Sequence, residues 1–175
     1  KISNVLVAWA PLMLAATGVL ITFTAGLWNI GIEGQITLGA IFTTWALRLL
    51  MNSSLPPAFI IILSILAGML GGALWAVLAG LLKTFGGVNE IFGGLGLNFV
   101  ATALTLFLIF GPWKRPGTGS MSGTEPFDSS LWLPEVPGLR LSIWSLLIAI
   151  VGIILVYYLL KGTYFRLKLK AIGSN

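Results

Sequence analysis

The sequence predicts an all-α fold, a polytopic transmembrane bundle of about five spanning helices. Of its 175 residues, 57% are apolar and 9% are charged, and the mean hydropathy is +1.01, whereas a soluble domain carries about 25% charged residues. The charges are clustered and leave uncharged runs that exceed the ~20 residues needed to cross a ~30 Å hydrocarbon core. These runs lack the alternation typical of a membrane β-barrel. A soluble monomer is excluded, and the chain is expected to form a single transmembrane domain.

A glycine-rich break separates the first two apolar segments. Segment one covers about residues 5–25 and contains Pro11, which a helix tolerates near its start and which otherwise kinks it. Residues 26–35 then contain three glycines and three polar side chains, a pattern that predicts a helix turn or a re-entrant bend. Segment two, about residues 35–51, is short for a membrane span.

Three further apolar segments follow. Residues 58–82 form the cleanest span, and residues 91–110 form a fourth whose first turns are rich in glycine. Residues 111–140 are rich in Pro, Gly and Ser and carry mixed charges, which predicts an aqueous loop within the domain. The fifth segment, residues 141–160, is uncharged.

The basic residues predict the orientation of the chain. The tail at 161–175 contains four basic residues and no acid, and the positive-inside rule places such a tail in the cytoplasm. Counting back, 83–90 is cytoplasmic, whereas 52–57 and 111–140 are external. Three basic residues of the long loop oppose this orientation, and three acids offset them. They are Lys114, Arg115 and Arg140, and Glu125, Asp128 and Glu135. The net charge of +5 therefore indicates topology and not a nucleic-acid partner.

Two stripes of small residues, one in segment three and one in segment one, predict helix–helix contact faces. They are Gly68, Gly72, Ala76 and Gly80, and Gly18, Thr22 and Gly26, each four residues apart. In lipid no hydrophobic driving force brings apolar side chains together, so close contact between membrane helices depends on small residues. The alternative is that Gly and Ala are simply common in membrane helices.

Six polar residues beside the apolar runs are candidates for a substrate pathway. They are Asn29, Glu33, Gln35, Asn89, Glu90 and Asn98. A charge at mid-bilayer costs about 2.5–3.5 kcal/mol on insertion scales, so the two acids are expected to face a cavity or a partner. The alternative is that both acids lie at the cytoplasmic interface in the first turn of a helix, where the macrodipole favours them. Asn29 and Gln35 are also consistent with helix caps, whereas the position of Asn98 inside segment four favours an interior-facing role.

The residue inventory excludes several kinds of chemistry. The chain has no Cys and no His, which removes Cys/His zinc sites, thiol nucleophiles and Ser-His-Asp catalysis. No metal and no cofactor are expected. The nearest approach to a phosphate-binding loop, at residues 81–84, lacks the glycine before the lysine. If the protein uses ATP, another chain must hydrolyse it.

Three stretches of sequence show a family resemblance. They read AGLWNIGIEGQITLGA at 25–40, LLKTFGGVNEIFGGLGLNFVA at 81–101 and RLKLKAIGSN at 166–175. Together they resemble the permease subunit of bacterial ABC importers, in the simple-sugar and nucleoside branch that is related to the ribose and branched-chain amino-acid permeases. The first stretch is the most specific. Residues 92–96 depart from the Ser/Thr and Met of that branch, and this departure bears on substrate preference.

The resemblance implies a transport subunit of the bacterial cytoplasmic membrane and no enzymatic activity of its own. Two permease subunits, identical or homologous, would form one pathway in the lipid bilayer. An extracytoplasmic substrate-binding protein would deliver a nucleoside or simple sugar, and ABC ATPase subunits would act on the inner side. Family members are longer, so the chain is expected to be a fragment that stops at or just before the helix that docks on the ATPase.

Two groups of residues each have two interpretations. Trp113, Phe127 and Trp132 of the long loop are either a docking surface for the binding protein or aromatic side chains at the membrane interface. The basic residues at the end of the chain either approach the ATPase or only orient the chain beside anionic lipid.

Two other function classes are compatible with the residues alone. An ion-coupled secondary transporter also has broken helices and buried acids, and Glu33 or Glu90 would then carry a proton or a cation. A non-transporting membrane scaffold would explain the small-residue stripes without a pathway. Neighbouring genes for an ATPase and a binding protein would favour the ABC interpretation over both.

Overall fold

The computed structural model describes residues 2–117, 123–137 and 141–173. Within these residues the fold is all-α, which confirms the predicted class. The helices are α1 Ile2–Thr24, α2 Ile32–Leu50, α3 Pro57–Thr84, α4 Glu90–Phe110, α5 Ile143–Leu160 and α6 Tyr164–Gly173, with a short 3₁₀ helix at Ser129–Leu131. Arg140 of the long loop, and Ser174 and Asn175 at the end of the last motif, lie outside the described residues.

Four helices of the described part of the chain are long and apolar enough to cross a membrane: Asn4–Thr24 in α1, and the whole of α3, α4 and α5. The second predicted segment forms α2, which has 19 residues and is not among these four. It carries Glu33 in its first turn and Arg48 in its last. At a rise of 1.5 Å per residue, α2 is about 28 Å long, longer than the predicted segment and no shorter than α5, which has 18 residues and is among the four. Its polar and charged residues, and not its length, therefore set α2 apart.

Three helix ends are explained by a glycine, a proline and an asparagine at or next to them. Gly26 has a φ of 71° and follows α1, while the Leu27 N–H donates to the Thr22 carbonyl at 3.0 Å, as in a helix C-terminus closed by a left-handed glycine. Pro57 is the first residue of α3, where its missing N–H is not needed. The Asn89 side chain accepts the Ile91 N–H at 2.9 Å and so caps α4.

The chain forms two compact units, Ile30–Trp132 and a unit made of Lys1–Asn29 with Leu133–Asn175. In the first unit, α2 packs along α3, and α4 packs against both. Its buried core consists of Leu38, Ile41 and Ala101, with half-buried apolar side chains around them. Those side chains are Phe42, Trp75, Leu104, Leu108 and Trp113.

The other unit consists of α1, α5 and α6. Helix α1 packs against α5, and both contact α6. Ala10, Ala149 and Val156 are its buried apolar residues on these helices. A Cβ added at Gly152 would lie 2.7 Å from a methyl carbon of Leu14, so the two spanning helices are closely apposed at this point.

The predicted stripe of small residues in α3 lies partly against α2. A Cβ added at Gly72 would lie 3.2 Å from the Gln35 carbonyl oxygen, and one at Gly68 would collide with the Thr43 hydroxyl. Gly71, which is not in the stripe, makes the tightest backbone contact between α2 and α3, because its Cβ would lie 2.8 Å from the Leu38 carbonyl oxygen. Close approach of α2 and α3 therefore depends on glycine.

The remaining members of the two stripes are placed differently. Ala76 is exposed, and a Cβ added at Gly80 or Gly18 would meet nothing within 4 Å. The described residues thus give Gly18 and Gly80 no packing partner, and their role as contact faces stays a prediction.

Replacing Gly71 with Ala should destabilise the full-length protein by about 1–3 kcal/mol, because the added methyl group meets a backbone carbonyl that has little freedom to move. Gly80→Ala on the same helix is the matched control, since its methyl group has open space and alanine favours the helix by up to about 1 kcal/mol. The free energy of unfolding in mixed micelles, measured by detergent titration, compares the two. Equal stability of both variants would contradict the proposed α2–α3 contact.

Candidate functional site

The candidate site lies where residues 30–35, the second part of the predicted break, meet the first turns of α4. Residues 30–35 belong to the same compact unit as α4. Gly31 precedes α2 and is buried, as is Gly34 in its first turn. Both parts of the site come from stretches that the sequence singled out, although they lie more than 60 residues apart.

The Asn98 side chain joins the two stretches. Its Oδ1 accepts the Gly34 backbone N–H at 2.8 Å, and its Nδ2 donates to the Ile30 carbonyl oxygen at 3.1 Å. The N–H groups of a helix's first turn have no partner within the helix, and the Ile30 carbonyl precedes the first residue of α2. One amide therefore satisfies two backbone groups that the break leaves without helical partners.

Two glycines permit this close approach. A Cβ at Gly34 would lie 2.8 Å from both the Asn98 Oδ1 and the Trp75 Nε1, and a Cβ at Gly94 would lie 2.7 Å from the Gly31 backbone nitrogen. A side chain at position 94 would push α4 away from the backbone before α2, whereas one at position 34 would displace the side chains of Asn98 and Trp75. The Trp75 Nε1 is buried without a hydrogen-bond partner. Because Trp75 lies in the middle of an apolar segment, the sequence did not indicate that it contacts this site.

The two candidate acids both lie in the first turn of a helix. Glu33 is exposed near the start of α2, and Glu90 is the first residue of α4. The Glu90 carboxylate pairs with the Lys83 ammonium group at 3.0 Å. Each acid is thus near the positive end of a helix dipole, which favours a carboxylate.

The other amide candidates have different surroundings. The Asn89 side chain caps α4, as described above. Asn29 is half-buried and belongs to the connection that follows α1 in the sequence. Gln35 is half-buried in the first turn of α2. The structure therefore brings Gln35 and Asn98 to the same end of α2, and both the oxygen and the nitrogen of the Asn98 amide form hydrogen bonds there.

Among the described residues, no three His, Cys, Asp or Glu side chains come close enough to hold a metal ion.

A cleft of about 380 Å³ lies at the opposite end of α2. It is bounded by residues 48–60 and 125–131. The Arg48 guanidinium carbon lies 5.4 Å from the Trp113 ring centroid and 6.0 Å from that of Phe127. Cation–π contacts of this kind attract the cation to the ring faces. The sequence analysis assigned Arg48 no role, because the two rings that it contacts lie more than 60 residues further along the chain.

The 123–132 segment is also ordered by its own polar contacts. The Ser130 backbone N–H donates to the Asp128 carboxylate at 2.8 Å, and this hydrogen bond holds the pKa of Asp128 below its ordinary value. The Trp132 indole N–H donates to the Phe127 carbonyl oxygen at 3.1 Å, while the Trp132 side chain is exposed. The predicted aqueous loop thus presents an exposed aromatic side chain on a structured turn.

Comparison with known proteins places the chain in a transport context. The family model for the branched-chain amino acid transport system permease component matches residues 1–175. A glucose ABC transporter permease, TsgB13 of Haloferax volcanii, is 34% identical over 99% of this chain and 47% of its own length. The nucleoside permease NupB of Lactococcus lactis is 25% identical over 100% of this chain and 50% of its own length. The guanosine permease NupP of Bacillus subtilis is 23% identical over 94% of this chain and 47% of its own length.

This chain therefore spans about half the length of the curated relatives it matches. No solved structure matches it.

Replacing Asn98 with Leu should destabilise the full-length protein by about 1–3 kcal/mol, because the Gly34 N–H and the Ile30 carbonyl both lose their partner. Thr102→Val, one turn further along α4, is the matched control, since it removes only a hydroxyl bond to the carbonyl of the same helix. Unfolding free energies and hydrogen exchange of peptides covering 30–36 give the comparison. Equal hydrogen-exchange rates and equal unfolding free energies in the two variants would show that the two Asn98 hydrogen bonds do not stabilise this contact.

Replacing Arg48 with Gln should speed hydrogen exchange in residues 123–132 about two- to five-fold, which corresponds to a cation–π contact of about 0.5–1 kcal/mol. Lys114→Gln removes a positive charge from the same loop without removing either ring contact, and it serves as the control. Unchanged exchange in the Arg48 variant would show that the rings do not hold the segment.

Proposed function

Because the chain belongs to the family of branched-chain amino acid transport system permease components, we propose that it is a membrane-spanning subunit of an ATP-driven importer for nucleosides or simple sugars. The observation that carries this proposal is the match over all 175 residues, to relatives that are themselves permeases for glucose, nucleosides and guanosine. Four apolar helices support a multi-pass membrane protein.

The proposed assembly needs other chains. ATP hydrolysis is assigned to separate ABC ATPase subunits, because residues 81–84 do not form a phosphate-binding loop. A substrate-binding protein would dock on the external side, and a second permease subunit, identical or homologous, would complete the pathway. The basic residues after α5 support a cytoplasmic location for residues 161–175 in the bacterial inner membrane.

This orientation puts the 30–35 break and the start of α4 at the cytoplasmic end of their unit, and the Arg48 cleft at the external end. The exposed Trp132 and the ring-bound Arg48 then belong to the surface that would meet the binding protein. A structured loop binds a partner with less ordering cost than a flexible one.

The depth of the break supports a role in the pathway. Asn98 lies eight residues into α4, which corresponds to about 12 Å along the helix axis. Since Asn98 bonds to Gly34, α2 begins well inside the length of α4 and not level with Glu90. Irregular backbone at membrane depth is tolerated where it lines a cavity, and transporters place half-helix N-termini at their substrate sites.

The candidate residues would contribute in more than one way. Asn89, Glu90 and Asn98 hold backbone or ion-pair partners, through which they would shape the pathway. Glu33 is exposed at the start of α2, and Asn29 and Gln35 lie beside it in the sequence. Amide side chains offer the donors and acceptors that a neutral polyhydroxyl substrate needs.

Uptake by cells that express the complete operon, compared with cells lacking only this gene, tests the proposal. We expect labelled nucleosides or simple sugars to enter only when this gene, the ATPase gene and the binding-protein gene are all present. Collapse of uptake by a protonophore at constant cellular ATP would instead indicate an ion-coupled transporter. Uptake unaffected by deletion of this gene would indicate a scaffold.

Alanine variants of Asn29, Gln35, Asn89 and Asn98 in the full-length protein should each lower uptake at constant expression. Asn4→Ala, which removes an exposed amide near the start of α1, is the matched control and should leave uptake unchanged. Normal uptake in all four variants would remove these residues from the pathway.

A further inference from the structure

A groove of about 690 Å³ lies among α1, α5 and α6, all within one compact unit. Its walls are mainly apolar and come from the ends of α1 and α5 that lie nearest α6. The apolar wall residues are Leu20, Phe23, Ile153, Val156, Tyr157 and Leu160. Two threonines of α1 and three cations complete the lining.

The three cations are Lys161, which directly follows α5, and Arg166 and Lys170, which lie one helical turn apart on α6. None of the three helices that line the groove contains an acid, and the last acid of the chain is Glu135. The ion pair seen among the described residues, Lys83 with Glu90, is in the other unit. The groove therefore carries positive charge that its own walls do not neutralise.

Helix α6 has the character of a helix that lies at a membrane surface. Phe165, Leu169 and Ile172 fall on one face at helical spacing, while Arg166 and Lys170 fall together on another. Basic amphipathic helices of this kind bind at the boundary between headgroups and acyl chains. Lys168 does not line the groove, and its ammonium group lies 4.9 Å from the Tyr164 ring centroid.

We propose that this groove binds one anionic phospholipid of the inner leaflet, with an acyl chain between α1 and α5 and the phosphate beside Lys161, Arg166 and Lys170. Basic pockets between spanning helices at the cytoplasmic face suit anionic headgroups, and the apolar wall suits a hydrocarbon chain. A neutral sugar or nucleoside would gain nothing from three cations and would cover the apolar wall poorly. The proposal does not depend on which solute the protein transports.

Photolabelling tests the site in the full-length permease assembled with its partner subunits in phosphatidylcholine nanodiscs. The probe is phosphatidylglycerol with a photoreactive group on its acyl chain. We expect labelled peptides from residues 17–24 and 153–160, and much weaker labelling there by the same probe built on phosphatidylcholine. Equal labelling by both probes would overturn the proposed selectivity for an anionic headgroup.

Matched variants separate a built site from general attraction to the membrane. Lys170→Gln should weaken phosphatidylglycerol labelling about five-fold, the factor expected for one cation at an anionic surface. Lys168→Gln, the same change on the same helix, should leave it unchanged because Lys168 is outside the groove. Equal losses in the two variants would overturn the site and leave only surface electrostatics.

A second pair of variants tests the apolar half of the groove without changing charge. Leu20→Trp should fill the space between α1 and α5 and reduce labelling, whereas Leu12→Trp, at an exposed position of α1 outside the groove, should not. Absence of labelling in the wild-type complex would also overturn the proposal, because another protein segment would then occupy the groove.

Discussion

The fold of the unit Ile30–Trp132, called the α2–α4 unit below, depends on the side-chain amide of Asn98. Asn98 satisfies the Gly34 N–H and the Ile30 carbonyl, two backbone groups that exist without helical partners only because the chain is broken before α2. In lipid an unsatisfied backbone group costs several kcal/mol. The break therefore requires a polar side chain from a neighbouring helix, and an asparagine can donate and accept at once. The glycines at positions 34 and 94 follow from the same contact, since they let the backbone come within its reach.

Packing of this unit follows from the nature of the solvent. Many of its largest side chains are exposed, such as Phe92 and Phe99 on α4 at 74% and 75%, which would be unfavourable in water. In a bilayer these side chains lose nothing by facing outward, so burial of apolar area does not hold the helices together. Close backbone contact and a few hydrogen bonds must do so. This is why Gly71 beside the Leu38 carbonyl, and Asn98 beside the break, matter more than the larger residues around them.

Sequence alone predicted the elements well because charge, proline and glycine mark the ends of membrane helices. Segment three was predicted at 58–82 and found at Pro57–Thr84, and segment four was predicted at 91–110 and found at Glu90–Phe110. Long-range contacts could not be predicted in the same way. The partners of Asn98 are 64 and 68 residues distant, and the rings that hold Arg48 come from a loop whose path has no periodic pattern. The family motifs identified both halves of the break but not the bonds between them.

The interior of the α2–α4 unit constrains where a pathway can run. Leu38, Ile41 and Ala101 pack between α2 and α4. The pocket of about 370 Å³ beside them is lined almost entirely by apolar side chains, which offer a polar solute no hydrogen-bond partners. The proposed pathway must then follow a surface of it, where Glu33 is exposed. Gly80 and Gly96 also have open space beside them, and small residues without a neighbour suit contact with helices from elsewhere. The proposed pathway would then run along this surface, at the proposed interface with the second permease subunit.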